Sequence, residues 1–109
     1  MARGLSRGEI WLYRFASPDK RRPVLVLSRQ EAVDVLDTVM VAPITSQRCG
    51  IPTEVELDAM HGLKGPSAVN LDHVHTVAKR DLQRYVGTLP PAVMHAVCRA
   101  LGVASGCID

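Results

Sequence analysis

Two stretches, Arg22-Pro23-Val24-Leu25-Val26-Leu27-Ser28 and Val41-Ala42-Pro43-Ile44-Thr45-Ser46-Gln47, decide the fold that this sequence predicts. Each is an apolar run of the β type with polar or cationic side chains at one end. In an antiparallel pair, the start of one strand and the end of the other meet at the same rim of a sheet. We therefore expect the Arg22 guanidinium and the Thr45 hydroxyl to converge there, as a pair suited to hold a phosphate.

Further β-type runs flank these two stretches along the chain. They are Ile10 to Phe15, Thr53 to Leu57, Ser67 to Val77 (one long strand, or two broken near Asp72) and Tyr85 to Leu89. The first of them is apolar on both alternating faces, which is typical of a strand buried on both sides. The pattern predicts a mostly β fold, a small antiparallel barrel of five to seven strands.

A helix is predicted at the C-terminal end of the chain. Pro90-Pro91 suits its first turn, and Val93, Met94, Val97, Ala100 and Leu101 follow at helical spacing. We interpret this apolar stripe as core, and we expect the helix to stop at Gly102.

Composition predicts one domain spanning residues 1–109, with a single modest core. The net charge of +2 is too small to indicate nucleic-acid binding by itself. Contact with a polyanion would have to come from local clusters such as Lys20-Arg21-Arg22 and Lys79-Arg80. Taken alone, such clusters are more typical of solvated turns.

The chain carries neither an apolar leader nor an apolar run of the roughly 20 residues that a bilayer requires. Its three cysteines, Cys49, Cys98 and Cys107, have no metal-ligand spacing and no even count for a disulfide framework. We expect a cytoplasmic protein with free thiols, no membrane association, no metal and no cofactor.

The order of these motifs resembles the MazF/PemK (Kid) family of toxin endoribonucleases. The two central stretches are preceded by Arg7-Gly8-Glu9-Ile10-Trp11-Leu12. They are followed by Thr53-Glu54-Val55-Glu56-Leu57, by Pro66-Ser67-Ala68-Val69-Asn70-Leu71-Asp72 and by Thr76-Val77-Ala78-Lys79-Arg80. The resemblance extends from Arg7 to about Leu101, and the ordered succession carries it more than any one motif.

The resemblance implies a sequence-specific, metal-independent endoribonuclease toxin with Arg22 and Thr45 as the catalytic pair. The 2′-hydroxyl of single-stranded RNA would attack the adjacent phosphate, giving 2′,3′-cyclic phosphate and 5′-hydroxyl ends, so DNA should be spared. The partners implied are RNA, a cognate antitoxin and a second copy of the chain in a homodimer.

Further residues near these motifs are candidates for contact with RNA: Lys20, Arg21, Ser46, Gln47, Asp72, His73 and His75. Arginine stays protonated near neutral pH and is an awkward general base. The resemblance implies an acidic residue in the first loop as a further acid/base group, for which Asp19 is the candidate, and His73 is a second candidate because histidine titrates near neutral pH. Relative to the family, the segment from Ala16 to Arg21 is shortened and lacks the usual Gly-Ser-Glu stretch, so Asp19 is its only carboxylate.

A second departure from the family is the segment that contains His73 and His75, where the family usually has an amide and a cation. We expect both imidazoles on one face of a strand. One interpretation is a pair that transfers protons or contacts RNA, since histidine titrates near neutral pH. Another is a His-x-His metal site, for which the sequence shows no third ligand. Partly buried histidines with local hydrogen bonds are the interpretation we favour.

Two other functions remain open at this point. One is a gyrase-inhibiting toxin like CcdB, which shares the fold but does not need the Arg22 and Thr45 motifs. The other is a catalytically inert RNA-binding barrel, suggested by the shortened first loop.

Overall fold

A computed structural model describes residues 4–14, 21–59 and 61–108 of the chain. Within these ranges it has seven strands, two α-helices and two short 3₁₀ turns. The strands are β1 (Glu9–Arg14), β2 (Arg21–Val26), β3 (Thr38–Thr45), β4 (Glu54–Leu57), β5 (Ser67–Asn70), β6 (His75–Ala78) and β7 (Leu82–Thr88). The helices are α1 (Gln30–Val35) and α2 (Pro91–Ala104), and the 3₁₀ turns are Leu71–His73 and Lys79–Asp81.

The strands form one antiparallel sheet in the order β4-β5-β3-β2-β1-β7, with β6 paired to β3 beside β5. The mostly β class, the antiparallel pairing of the two central stretches and the C-terminal helix are therefore confirmed. No pairing joins the outer strands β4 and β7 within the described part of the chain, so the sheet is open and the expected closed barrel is too strong a description.

Two apolar clusters occupy the two faces of the sheet. On one face, Met94, Val97 and Ala100 of α2 pack against strand residues that include Ile10 and Leu25. On the other face, valines of β2, β3 and β6 pack with Val33 of α1 and are flanked by Trp11 and Tyr13. Strand β1 therefore contributes to both clusters, as its sequence predicts, and the apolar stripe of α2 is core.

The end of α2 differs from the prediction. The helix continues past Gly102 to Ala104, and Gly106 adopts the left-handed conformation with φ +80°. Two backbone bonds, from Gly106 N–H to Val103 C=O and from Cys107 N–H to Gly102 C=O, form a Schellman end at this glycine. A Cβ at Gly102 would lie 2.4 Å from Cδ1 of Ile108, so the absence of a side chain at Gly102 allows Ile108 to pack against the helix.

Of the two alternatives for Ser67 to Val77, the structure has two strands with a break near Asp72. Strands β5 and β6 are separated by the 3₁₀ turn Leu71–His73, in which the Asn70 side chain accepts a hydrogen bond from Asp72 N–H. His73 lies in this turn, whereas His75 begins β6. The expectation that both imidazoles share one strand face is therefore wrong, because the turn interrupts the strand alternation between them.

Candidate active site

The rim of the sheet where β2 begins and β3 ends is opened by two prolines. Strand β2 pairs with β3 through Val24 and Pro43, and the β2–β3 ladder ends there. Pro23 and Pro43 have no N–H to donate to a longer ladder. Beyond that point β2 stays paired with β1, while β3 pairs with β5. The two strands thus separate at this rim, and a cleft begins between them.

Arg22 and Thr45 lie at the two lips of this opening. Arg22 is the second residue of β2 and Thr45 is the last residue of β3, so the antiparallel pairing of these strands brings both to this rim. Both residues line a single cleft of about 640 Å³. Both residues therefore reach this rim, as the sequence predicts, and their joint contact with one phosphate stays a prediction.

The Thr45 hydroxyl is held by its own turn. The backbone N–H of Gln47 donates a hydrogen bond of 3.1 Å to Thr45 Oγ1. This bond occupies an acceptor site on the oxygen and leaves the O–H as a donor. The threonine is therefore suited to donate to an anionic oxygen placed between it and Arg22.

The loop that follows Thr45 is fixed by a carboxylate from the next strand. Glu54 Oε1 accepts hydrogen bonds from Cys49 N–H at 2.9 Å and from Gly50 N–H at 3.2 Å. A second contact, between Arg48 and Glu56 at 3.7 Å, joins the same loop to β4. Ser46 lines the cleft and lies in the chain between the end of β3 and the residues that these contacts hold.

We call the surface formed by Arg21, Arg22, Thr45 and Ser46 the strand-end wall of the cleft. Residues 62–66 and residues 84–86 of β7 form a second surface, which we call the loop wall. Sequence reasoning missed the loop wall. The sequence places Lys64 in a glycine-rich loop and Arg84 in a strand, and no local sequence pattern indicates that they line the same cleft.

The charged residues described at the lining of the cleft are all cations. The described residues that line it include Arg21, Arg22, Lys64 and Arg84 but neither aspartate nor glutamate. All four cations are exposed, and Arg21 also faces Arg14 across the β1–β2 ladder. Like charges directly opposite one another are unfavourable unless a counter-charge lies near them. The cleft is therefore arranged to receive an anion, although the net charge of the chain is small.

Gln47, Asp72, His73 and His75, which are also predicted to contact RNA, are not among the residues that line the cleft. Asp72 accepts a hydrogen bond of 2.5 Å from the Thr53 hydroxyl, and the His73 ring lies 3.4 Å from the Asn70 amide. His75 Nδ1 lies 3.2 Å from the His73 carbonyl, which can only accept, and its ring meets Tyr13 edge-on at 6.1 Å. These local contacts fit the hydrogen bonds of the favoured interpretation, but only His75 is partly buried, and His73 is exposed. Lys20 and Asp19 lie outside the described residues.

No group of three His, Cys, Asp or Glu side chains able to hold a metal occurs in the ranges that the structure describes. Within the same ranges, neither helix is long and apolar enough to span a bilayer. Cys49, Cys98 and Cys107 are all exposed free thiols.

Comparison with known proteins gives a consistent result. The family model described as "PemK-like, MazF-like toxin of type II toxin-antitoxin system" matches residues 6–104. The chain is 43% identical over 89 residues to endoribonuclease MazF3 of Mycobacterium tuberculosis, covering 82% of this chain and 86% of that protein.

Solved structures agree with that match. The Mycobacterium tuberculosis toxin MazF-mt6 superposes with a TM-score of 0.83 at 39% identity, covering 93% of this chain and 98% of the toxin. A mycobacterial endoribonuclease solved in complex with its cognate antitoxin superposes with a TM-score of 0.85 at 28% identity, covering 94% and 96% of the two chains.

Proposed function

Because the chain belongs to the PemK-like, MazF-like toxins of type II toxin–antitoxin systems, we propose that it is an endoribonuclease that cleaves single-stranded RNA. We further propose that it acts in the cytoplasm as a homodimer and that a cognate antitoxin neutralises it. The observation that carries the proposal is the joint presence of Arg22 and Thr45 in one cationic cleft.

The proposed reaction uses the nucleophile that RNA itself carries. The 2′-oxygen forms a bond to the adjacent phosphorus as the bond from phosphorus to the 5′-oxygen breaks. The 2′-hydroxyl gives up its proton to a base, and the departing 5′-oxygen gains one from an acid. The products are a 2′,3′-cyclic phosphate and a 5′-hydroxyl, with no metal or protein nucleophile required.

Arg22 and Thr45 would stabilise the dianionic phosphorane formed during attack. A guanidinium donates two parallel hydrogen bonds to non-bridging phosphate oxygens, and the Thr45 O–H adds a third donor. Because Gln47 N–H already occupies Thr45 Oγ1 as an acceptor, the hydroxyl is held as a donor before substrate arrives. Such preorganised donors avoid reorganisation at the moment of reaction.

Proton transfer needs groups other than these two. Asp19 remains our candidate general base, since it is the carboxylate of the segment that precedes Arg22. His73 is not among the residues that line the cleft and is not carried further in this role. Ser46, at the mouth of the cleft, and the neighbouring Gln47 are our candidates for the sequence preference of cleavage.

The proposal is tested by the chemistry of the products. Purified protein is incubated with a mixed-sequence RNA in excess EDTA, and the new ends are mapped and characterised. We expect cyclic phosphate and 5′-hydroxyl ends, no cutting where the attacking ribose is replaced by deoxyribose, and cutting about 10³-fold slower by Arg22→Ala. Intact RNA, or products that carry a 5′-phosphate, would refute the proposed reaction.

A further inference from the structure

The loop wall is held in place by backbone contacts that only glycine permits. A Cβ at Gly87 would lie 1.8 Å from the His61 carbonyl oxygen, and one at Gly62 would lie 2.1 Å from the Val86 carbonyl oxygen. Gly62 has φ +87° and His61 φ +59°, both in the left-handed region. The loop therefore lies directly on β7, which brings Lys64 of the loop and Arg84 of the strand to the same cleft.

Neither of these two cations has an anionic partner among the residues that the structure describes. The ion pair found within the described ranges is Arg48–Glu56, and no described carboxylate lies within 4.0 Å of the Lys64 ammonium or the Arg84 guanidinium. Both side chains are exposed. Two unpaired cations at one cleft repel each other, and a bound phosphate would remove that repulsion.

A fixed aromatic ring accompanies them. Tyr85, next to Arg84, meets Trp11 edge-on at 6.0 Å, and its hydroxyl lies 2.6 Å from Thr88 Oγ1. Proteins that bind single strands combine a cationic track for the backbone with aromatic rings on which bases stack. The loop wall has both components.

We propose that Lys64 and Arg84 form a second phosphate subsite, which holds a backbone phosphate next to the one bound by Arg22 and Thr45. The inference rests on the proposed RNA substrate. The cleft, at about 640 Å³, lies within the usual range of ligand pockets, about 300–1,000 Å³, and has room for more than one phosphate group. The subsite would align the strand so that the scissile phosphate reaches Arg22.

The test measures binding without cleavage. A short mixed-sequence DNA strand lacks the 2′-hydroxyl and serves as the probe, and its Kd is measured over a range of salt concentrations. We expect Lys64→Ala and Arg84→Ala each to weaken binding about tenfold at low salt. Each should also reduce the slope of log affinity against log salt by about 0.7, the value for one lost phosphate contact on a single strand.

The matched control is Arg99→Ala, because Arg99 is an exposed cation of α2 that does not line the cleft. It should leave both Kd and slope unchanged, and thermal unfolding should confirm that all three variants fold. Equal effects from Arg99→Ala, or unchanged slopes for Lys64→Ala and Arg84→Ala, would overturn the subsite. A loss that follows base sequence at constant slope would also overturn it, in favour of base recognition.

These outcomes separate the two proposals. If the slopes fall as expected but RNA is never cut, the endoribonuclease proposal fails and the subsite stands. If RNA is cut normally and the slopes do not change, the subsite fails and the endoribonuclease proposal stands.

Discussion

Each wall of the cleft carries two cations, but the two walls are positioned by different physical effects. The strand-end wall is built from side chains at the ends of two paired strands, where alternation and register decide which groups meet. The loop wall depends on close backbone contact between residues 61–62 and β7, which the absence of a Cβ at Gly62 and Gly87 allows. A substitution of one side chain should disturb the first wall locally, whereas a single added methyl should displace the second as a unit.

The largest expected effect is a difference in cleavage rate between substitutions of two adjacent arginines of the strand-end wall. Arg22 belongs with Thr45 to the proposed catalytic pair, whereas Arg21, which also lines the cleft, faces Arg14 across the β1–β2 ladder. We expect Arg22→Ala to lower the single-turnover cleavage rate by about 10³-fold, the cost of removing a preorganised donor to the transition state. Arg21→Ala, which removes only a nearby charge, should cost about tenfold. Equal losses for the two would contradict the distinction.

The loop wall can be displaced by Gly87→Ala. Its Cβ would overlap the His61 carbonyl, so the loop must move away from β7. We expect a loss of about 1–3 kcal/mol in unfolding free energy, typical of overpacking, together with a lower Tm and roughly tenfold weaker binding of the DNA probe. Gly65→Ala is the matched control for stability, because nothing lies within 4 Å of a Cβ there. An unchanged Tm for Gly87→Ala would contradict the close approach.

A smaller effect is expected at the loop that extends the strand-end wall. Glu54→Ala removes the acceptor of two backbone N–H groups, at Cys49 and Gly50, and should cost about 1 kcal/mol of stability and severalfold in kcat/KM. Glu54→Gln keeps an acceptor oxygen and should restore most of both losses. If Gln behaves like Ala, negative charge at this position matters more than the positioning of the loop.

The smallest effect is expected outside both walls. Thr53→Val deletes the hydrogen bond to Asp72 but removes no group from the cleft. We expect a stability loss of about 0.5 kcal/mol, measured by urea unfolding, and an unchanged cleavage rate. A fall in rate of tenfold would instead support the predicted contact of Asp72 with RNA and would extend the site beyond the two walls.

Much of the sheet is predictable because its signals are local. Apolar alternation, turn residues and Pro90-Pro91 predict β1 to β4, β7 and α2, and they leave open whether residues 67–77 form one strand or two. Antiparallel pairing then predicts that Arg22 and Thr45 lie at one rim of the sheet. The open sheet and the late end of α2 are not predictable in this way. They depend on how β3 divides its pairing between neighbours and on how Ile108 packs over Gly102, which are tertiary effects.

The site follows the same division. Arg21 precedes the first motif and Ser46 lies in the second, and the structure brings both to the cleft. His73 lies in a 3₁₀ turn and His75 in β6, so the two histidines do not share a strand as expected. Lys64 and Arg84 are 20 residues apart in sequence and meet only because the loop lies on β7. No periodicity in the sequence reports such a contact.

The central claim is that Arg22 and Thr45 act on the same phosphate, and a double-mutant cycle tests it most directly. Single-turnover cleavage of one defined RNA is measured for Arg22→Ala, Thr45→Val and the double variant. Residues that act as a unit are strongly non-additive, so the double variant should be scarcely slower than Arg22→Ala alone. Losses that multiply independently, or normal cleavage by the double variant, would contradict the account.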